Sequence, residues 1–309
     1  MKIDLTDTTS SKINAGLIEA RRSQGGTPPG SVLTLVVVTD EESAYDAVHA
    51  AAEASRKHSS RVLVVIKRID RNPRLARTRL DAEIRVGSDA GTGETVLLRL
   101  HGELASQAQS VVLPLLLPDA PVVVWWPENA PANPVKDPLG ALAQRRITDA
   151  ASARFPLAEL ATRAESYSPG DTDLAWTRLT PWRSVLAAAL DQTGHTPVTS
   201  ALVAAQEGDP SAELLALWLG HRLDVEVERV VTDGPFITAV MLATAEGEIF
   251  LGRPEDDTTT LVIPGQPDRR VRLRERPDHE LLAEELRRLD CDETYAGVLR
   301  ARDLPPAAV

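Results

Sequence analysis

The sequence predicts an α/β protein: a mixed sheet with a βαβ core in the N-terminal half, then an α+β C-terminal part with an antiparallel sheet. Three observations predict it. Two nearly continuous β-branched and apolar runs, 32–38 and 61–66, flank an alanine-rich segment of helical period, as a parallel strand–helix–strand unit requires. Two alternating segments, 80–86 and 94–101, surround the turn-rich stretch 87–93, as in an antiparallel hairpin attached to that core. From 225 to 274, short strand-like segments are separated by Asp233-Gly234, Glu246-Gly247, Asp256-Asp257 and Pro264-Gly265, which are turn chemistries.

In chain order, residues 1–30 read as a flexible tail carrying a helix around 13–22 and ending in a Gly/Pro-dense break. After strand 32–38, Thr39-Asp-Glu-Glu42 offers a capping box for a helix through His58, with Ala44, Ala47 or Val48, Ala51 and Ala54 or Ser55 on one face. A helix through 111–116 leads to a strand at 121–126, whose tip is the kind of place that lines a crevice in an open α/β sheet. A proline- and asparagine-rich loop follows at 129–138. Next come a short strand at 146–149 and helices at 156–165 and 181–192. The break 193–197 divides an N-terminal α/β domain, 31–193, from a C-terminal α+β domain, 194–309. That second domain holds a strand at 198–204, a helix at 210–223, the turn-separated strands and a last helix capped by Asp278 with Leu282, Leu286 and Leu289 on one stripe.

Composition narrows the function classes. The net charge of −11 repels nucleic acid and anionic membrane. No apolar run is long enough to span a bilayer and no signal-peptide pattern opens the chain, so the expectation is a soluble cytoplasmic protein. Cys291 stands alone, which rules out an internal disulfide and a thiolate cluster. The histidines show no ligand spacing, the glycines form no phosphate loop, and no serine sits in a nucleophile elbow. No catalytic residue, metal ligand or cofactor site is expected. The basic run from Arg56 to Arg79 lacks interleaved aromatics; it reads as a solvated face or a contact for an acidic partner. The arginines of Arg270-Val-Arg-Leu-Arg-Glu-Arg276 read as the wet face of a half-buried strand.

Tryptophan is the exception to this plain surface. Four of the five tryptophans lie in two short segments, Pro121-Val-Val-Val-Trp-Trp-Pro127 and Asp173-Leu-Ala-Trp-Thr-Arg-Leu-Thr-Pro-Trp-Arg183. One reading makes Trp125, Trp126, Trp176 and Trp182 core residues. The other makes the segments, with Asp173, Thr177, Arg178 and Arg183, a ligand pocket or a protein-binding hot spot, because Trp and Arg dominate both. Adjacent tryptophans in a strand point to opposite faces, and Pro181 separates the other two, which argues against full burial. Asp171 and Asp173 also resemble the paired aspartates of metal-dependent glycosyltransferases, though a turn after Pro169-Gly170 and capping explain them at least as well.

These two segments resemble the OpcA family, the glucose-6-phosphate dehydrogenase assembly proteins, and the order of segments matches from about Gly30 to Ala301. The alanine and arginine content is similar to the actinobacterial branch. The resemblance implies a non-enzymatic partner of glucose-6-phosphate dehydrogenase, needed for assembly or full activity and serving NADPH production in the oxidative pentose phosphate pathway. Relatives from photosynthetic bacteria are associated with thioredoxin-linked control, for which a single cysteine offers no internal disulfide. The alternative is a sugar-phosphate or nucleotide-sugar enzyme or sensor using Asp171, Asp173, Arg178 and Arg183. The sequence leaves a homo-oligomer open.

Overall fold

A computed structural model describes residues 1–23, 30–68, 77–87, 93–194, 196–252 and 259–301. The α/β class holds, and the chain forms two compact units interleaved along the sequence. Unit 1 contains residues 1–149, 168–172 and 277–291; unit 2 contains 150–167, 173–276 and the chain from 292 onward.

Unit 1 is built on an eight-stranded sheet in the order β1-β4-β5-β3-β2-β6-β7-β8. The βαβ unit is β2 (Leu33–Thr39), α2 (Ala44–Lys57) and β3 (Ser60–Arg68), with β2 and β3 parallel from Leu33↔Ser60 to Thr39↔Ile66. Every residue of β2 is buried, which is why the run is apolar without alternation. The expected hairpin is β4 (Arg79–Val86) against β5 (Glu94–His101), and β5 joins β3 in parallel. β6 (Val122–Trp125) continues the sheet beyond β2, followed by β7 (Arg145–Thr148) and β8 (Asp171–Asp173), whose last residue begins unit 2.

Two expectations change here. Residues at the start of the chain are structured: β1 (Lys2–Leu5) pairs antiparallel with β4, and α1 (Ser10–Ser23) buries Ile13, Leu17 and Ala20, spaced to share one helix face. The turn before α2 is held by Asp40, not Thr39: its Oδ1 accepts from the N–H groups of Glu42 and Ser43, both at 3.0 Å. A side chain one atom longer, one residue later, reaches the turn that the capping box was expected to close. The turn expected at Pro169-Gly170 is present, with the N–H of Asp171 donating to the carbonyl of Ser168 at 2.9 Å and Asp171 Oδ2 accepting from the N–H of Ser168 at 2.8 Å, and it leads directly into β8.

The basic run is solvated at Arg56, Lys57, Arg68 and Arg77, as a surface face would be, but not at Arg61. Arg61 is buried, donates to Glu94 at 3.0 Å and to the carbonyl of Leu115 at 2.7 Å, and shares Glu94 with Arg21. Burial pulls the Arg61 guanidinium below its ordinary value, against the attraction of Glu94. Arg56, Arg68, Arg77 and Arg79 pair with Glu53, Glu41, Asp7 and Asp81. Arg71 and Arg74, like Gly91, His195 and the Asp256-Asp257 turn, lie outside the described residues.

Late residues complete unit 1. α8 (Asp278–Arg287) packs on α2 and buries Leu281, Leu282, Ala283 and Leu286, while Leu289 is half-buried. Its buried Glu285 accepts from Arg145 Nε at 3.0 Å.

Unit 2 carries a six-stranded sheet, β10-β9-β11-β12-β13-β14, formed by β9 (Val198–Ala205), β10 (Val227–Val231), β11 (Ile237–Thr244), β12 (Gly247–Gly252), β13 (Thr259–Val262) and β14 (Arg269–Val271). Its pairings are antiparallel except β9–β10, which is parallel because α7 (Pro210–Leu223) provides the crossover between them. β14 ends at Val271, shorter than the strand expected through Arg274.

Candidate functional site

The longer tryptophan segment lies in unit 2 and folds as two helices, α5 (Leu174–Arg178) and α6 (Thr180–Gln192), joined at Leu179. Pro181 explains the division: it opens a helix without needing its missing N–H, whereas a continuous helix would be broken there. Asp173 caps α5, with Oδ1 accepting from the N–H of Ala175 at 2.9 Å and Oδ2 from that of Ala150 at 3.0 Å. The Thr177 hydroxyl returns to the carbonyl of Asp173 at 3.3 Å.

Trp176 is 1% exposed and donates its Nε1–H to Asp292 Oδ2 at 2.8 Å. The other oxygen of Asp292 caps α9 (Glu293–Arg300) through the N–H groups of Thr294 and Tyr295, both at 2.9 Å. Tyr295 lies 5.6 Å from the Trp176 ring, and the Arg183 guanidinium carbon sits 3.6 Å from its centroid on the other contact. Trp176 thus ties the motif to the final helix, with a cation–π contact of about 1–2 kcal/mol in this half-desolvated setting.

Trp182, 9% exposed, faces differently. It lines a cavity of about 120 Å³ together with Arg178, Asp209, Phe236, Arg274 and Arg276. Asp209 caps α7, accepting from the N–H of Ser211 at 2.8 Å. Burial holds its carboxyl above its ordinary value, despite that bond, the N–H of Ala212 and the charges of Arg229 and Arg178. Arg183 borders a separate hollow with Trp218 and Arg222.

The shorter segment belongs to unit 1. Trp125 and Trp126 are 1% and 2% exposed, so both faces of the sheet are covered at this point and the argument against burying adjacent tryptophans fails. Trp126 packs in the unit 1 core and edges a crevice at the carboxyl ends of β2 and β6, where Asp40, Glu128 and Asp137 face Lys67. That crevice is where strand tips were expected to open, but its acids oppose a phosphate group.

The sequence-predicted residues therefore do not form one site. Asp171 pairs with Arg146 in unit 1, Asp173 is a buried cap in unit 2, and Arg178 and Arg183 border different hollows. Among the described residues, no three of His, Cys, Asp and Glu are grouped to hold a metal. Asp209, Phe236, Arg274 and Arg276 escaped the sequence reading. The Asp209-Pro210 start of α7 was the visible signal for the first; the arginines were hidden in what looked like the wet face of a strand.

Two family models match: the glucose-6-phosphate dehydrogenase subunit N-terminal domain over residues 51–165, and the corresponding C-terminal domain over residues 169–299. The chain belongs to the OpcA family of glucose-6-phosphate dehydrogenase assembly proteins. Each domain of this OpcA-family chain carries one tryptophan segment. No curated protein matches it. Among solved structures it is similar to an oxidoreductase from Sinorhizobium meliloti, at 12% identity and TM-score 0.44 over 89% of this chain and 91% of that one. It is also similar to a levoglucosan dehydrogenase in complex with NADH and L-sorbose, at 11% identity and TM-score 0.43 over 89% and 92%. Among the described residues no helix is long and apolar enough to cross a membrane.

Proposed function

We propose that this OpcA-family protein is a non-enzymatic, cytoplasmic partner of glucose-6-phosphate dehydrogenase that activates it allosterically and so supports NADPH production. Membership of the assembly family over both domains carries the reading. The motif adds a surface: Arg178, Arg183 and the edge of Trp182 reach solvent from helices fixed by the buried Asp173 and Trp176. An activator works by binding the active conformer or oligomer more tightly than the inactive one; equal binding shifts nothing. A tenfold activation needs about 1.4 kcal/mol of that difference, within reach of a few Trp and Arg contacts. The test is to mix the purified protein with its cognate dehydrogenase, follow NADPH formation and measure the oligomeric state in parallel. A rise in kcat or fall in KM that saturates with added protein is expected; unchanged kcat, KM and oligomeric state across saturating ratios would refute it.

A further inference from the structure

The six-stranded sheet of unit 2 has two unlike faces. One packs on α7 and supplies the core, to which Ala201, Val203, Val240, Leu242, Ile249 and Leu251 belong. Where an antiparallel sheet covers one face only, the alternate residues that point outward are ordinarily polar. Here they are not. Leu202 stands beside Met241, Met241 beside Phe250 and Phe250 beside Val262, so one apolar row crosses β9, β11, β12 and β13. All four side chains are half-buried, and among the described residues none of them joins the core on the other face.

The next row is small, with Ala204, Ala239 and Gly252 side by side. A Cβ on Gly252 would lie 2.8 Å from Phe250 Cζ, so the ring lies down along its own strand, over the glycine. The outward face is therefore flat as well as apolar. Ser200 and Glu248, both exposed, form a polar rim along one side. A contiguous apolar patch with such a rim marks an association surface. A flat one suits another sheet, since two sheets stack about 10 Å apart with the side chains of both faces between them.

The charges at its two ends select the occupant. On the β10 edge, exposed Glu228 continues the apolar row beside Leu202; on the β14 edge, exposed Arg270 continues the small row beside Thr260. Two copies of the chain pair symmetrically face to face about a two-fold axis lying between the sheets. An axis across the strands sets β10 on β10, with Glu228 against Glu228. An axis along the strands sets β10 of each copy over β14 of the other, so that Glu228 and Arg270 oppose one another twice. We propose that the chain forms a two-fold dimer through this face, with the axis along the strands. Six strands spaced about 4.8 Å apart and about 20 Å long offer roughly 600 Å² per copy, or about 1,200 Å² in all, which reaches the range of stable specific interfaces. The dimer is a property of this chain alone and does not depend on its pairing with the dehydrogenase.

Sedimentation of the full chain without dehydrogenase, over about 1–100 µM, tests it. A reversible, concentration-dependent dimer is expected. Glu228→Arg or Arg270→Glu alone should raise its dissociation constant about tenfold, because the symmetry repeats each like-charge contact. The doubly reversed chain should return to within about threefold of the parent. Both side chains are exposed, so these reversals leave the core untouched. Met241→Glu, at the centre of the apolar row, should abolish the dimer. The unaltered chain gives a further readout: it has two methionines, so the Met241 methyl resonance is assigned against that of Met1 and should move on dilution. A monomer at about 100 µM, a dimer indifferent to Met241→Glu, or single reversals that the double reversal does not rescue would each overturn the proposal. So would a Met241 resonance that moves only when the dehydrogenase is added.

Discussion

Trp125 and Trp176 are equally buried, but they are held differently. The Trp176 N–H bonds Asp292 and its ring carries Arg183, whereas the Trp125 N–H has no hydrogen-bond partner among the described residues. Replacing each by phenylalanine removes similar volume, so the polar partners decide the difference. Trp176→Phe removes the donor from a half-buried carboxylate oxygen and should cost about 1 kcal/mol more than Trp125→Phe in denaturant unfolding; equal losses would disprove the distinction. Asp209 makes a pH prediction with a definite sign. Its folded pKa is raised above the ordinary 3.8, so the folded state holds the proton more tightly than the unfolded state does. That contribution is fully present below 3.8 and is lost as pH rises through the folded value. Asp209→Asn, which keeps a capping oxygen, should therefore gain stability relative to the parent as pH rises through this window. Parallel stability–pH curves would contradict the assignment. At this scale the sequence was least legible: which guanidinium is buried depends on partners far along the chain, as Arg61 with Glu94 and Arg145 with Glu285 show.

Elements were more legible, because period and turn chemistry are local. The buried runs that became β2 and β3, the helix between them and the β4–β5 hairpin follow the pattern of their residues. The parallel β9–β10 pair repeats the same strand–helix–strand order, yet was read as part of an antiparallel sheet because a two-stranded neighbourhood does not announce its direction. α9 was missed although Asp292 caps it and Tyr295, Val298 and Leu299 share its buried face; eight residues give a weak period. Tight junctions are the elements' vulnerable points. Gly170, at φ 94°, joins the approach to β8 so closely that a Cβ there would lie 2.4 Å from the carbonyl oxygen of Gln144. Gly170→Ala meets both an unfavourable conformation and a backbone clash, and should cost about 2–4 kcal/mol in chemical denaturation. A loss below about 0.5 kcal/mol would mean the strand relaxes freely, against this packing.

For the whole molecule, the order of segments was readable and the grouping was not. A break at 193–197 looks like a boundary in composition, but the compact units exchange chain several times, and unit 2 runs continuously from 173 to 276. Local sequence has no means of showing that α8 returns to cover α2. A fragment of residues 1–193 keeps all eight strands of the first sheet yet lacks α8, leaving Arg145 without Glu285 and the α2 surface bare. Removing one member of a buried ion pair alone costs about 3–5 kcal/mol. The fragment should give a broad, non-cooperative thermal transition and bind a hydrophobic dye, whereas a sharp transition with native near-ultraviolet dichroism would show that unit 1 is complete without its late helix.

The return of α8 also sets a timetable. At about 5–20 residues per second, α2 leaves the ribosome roughly 10–45 s before the helix that covers it. Through that interval the face of α2 that α8 covers stays open, and a truncated translation product never closes it. The docking of α8 on α2 therefore requires a chain translated at least through Arg287.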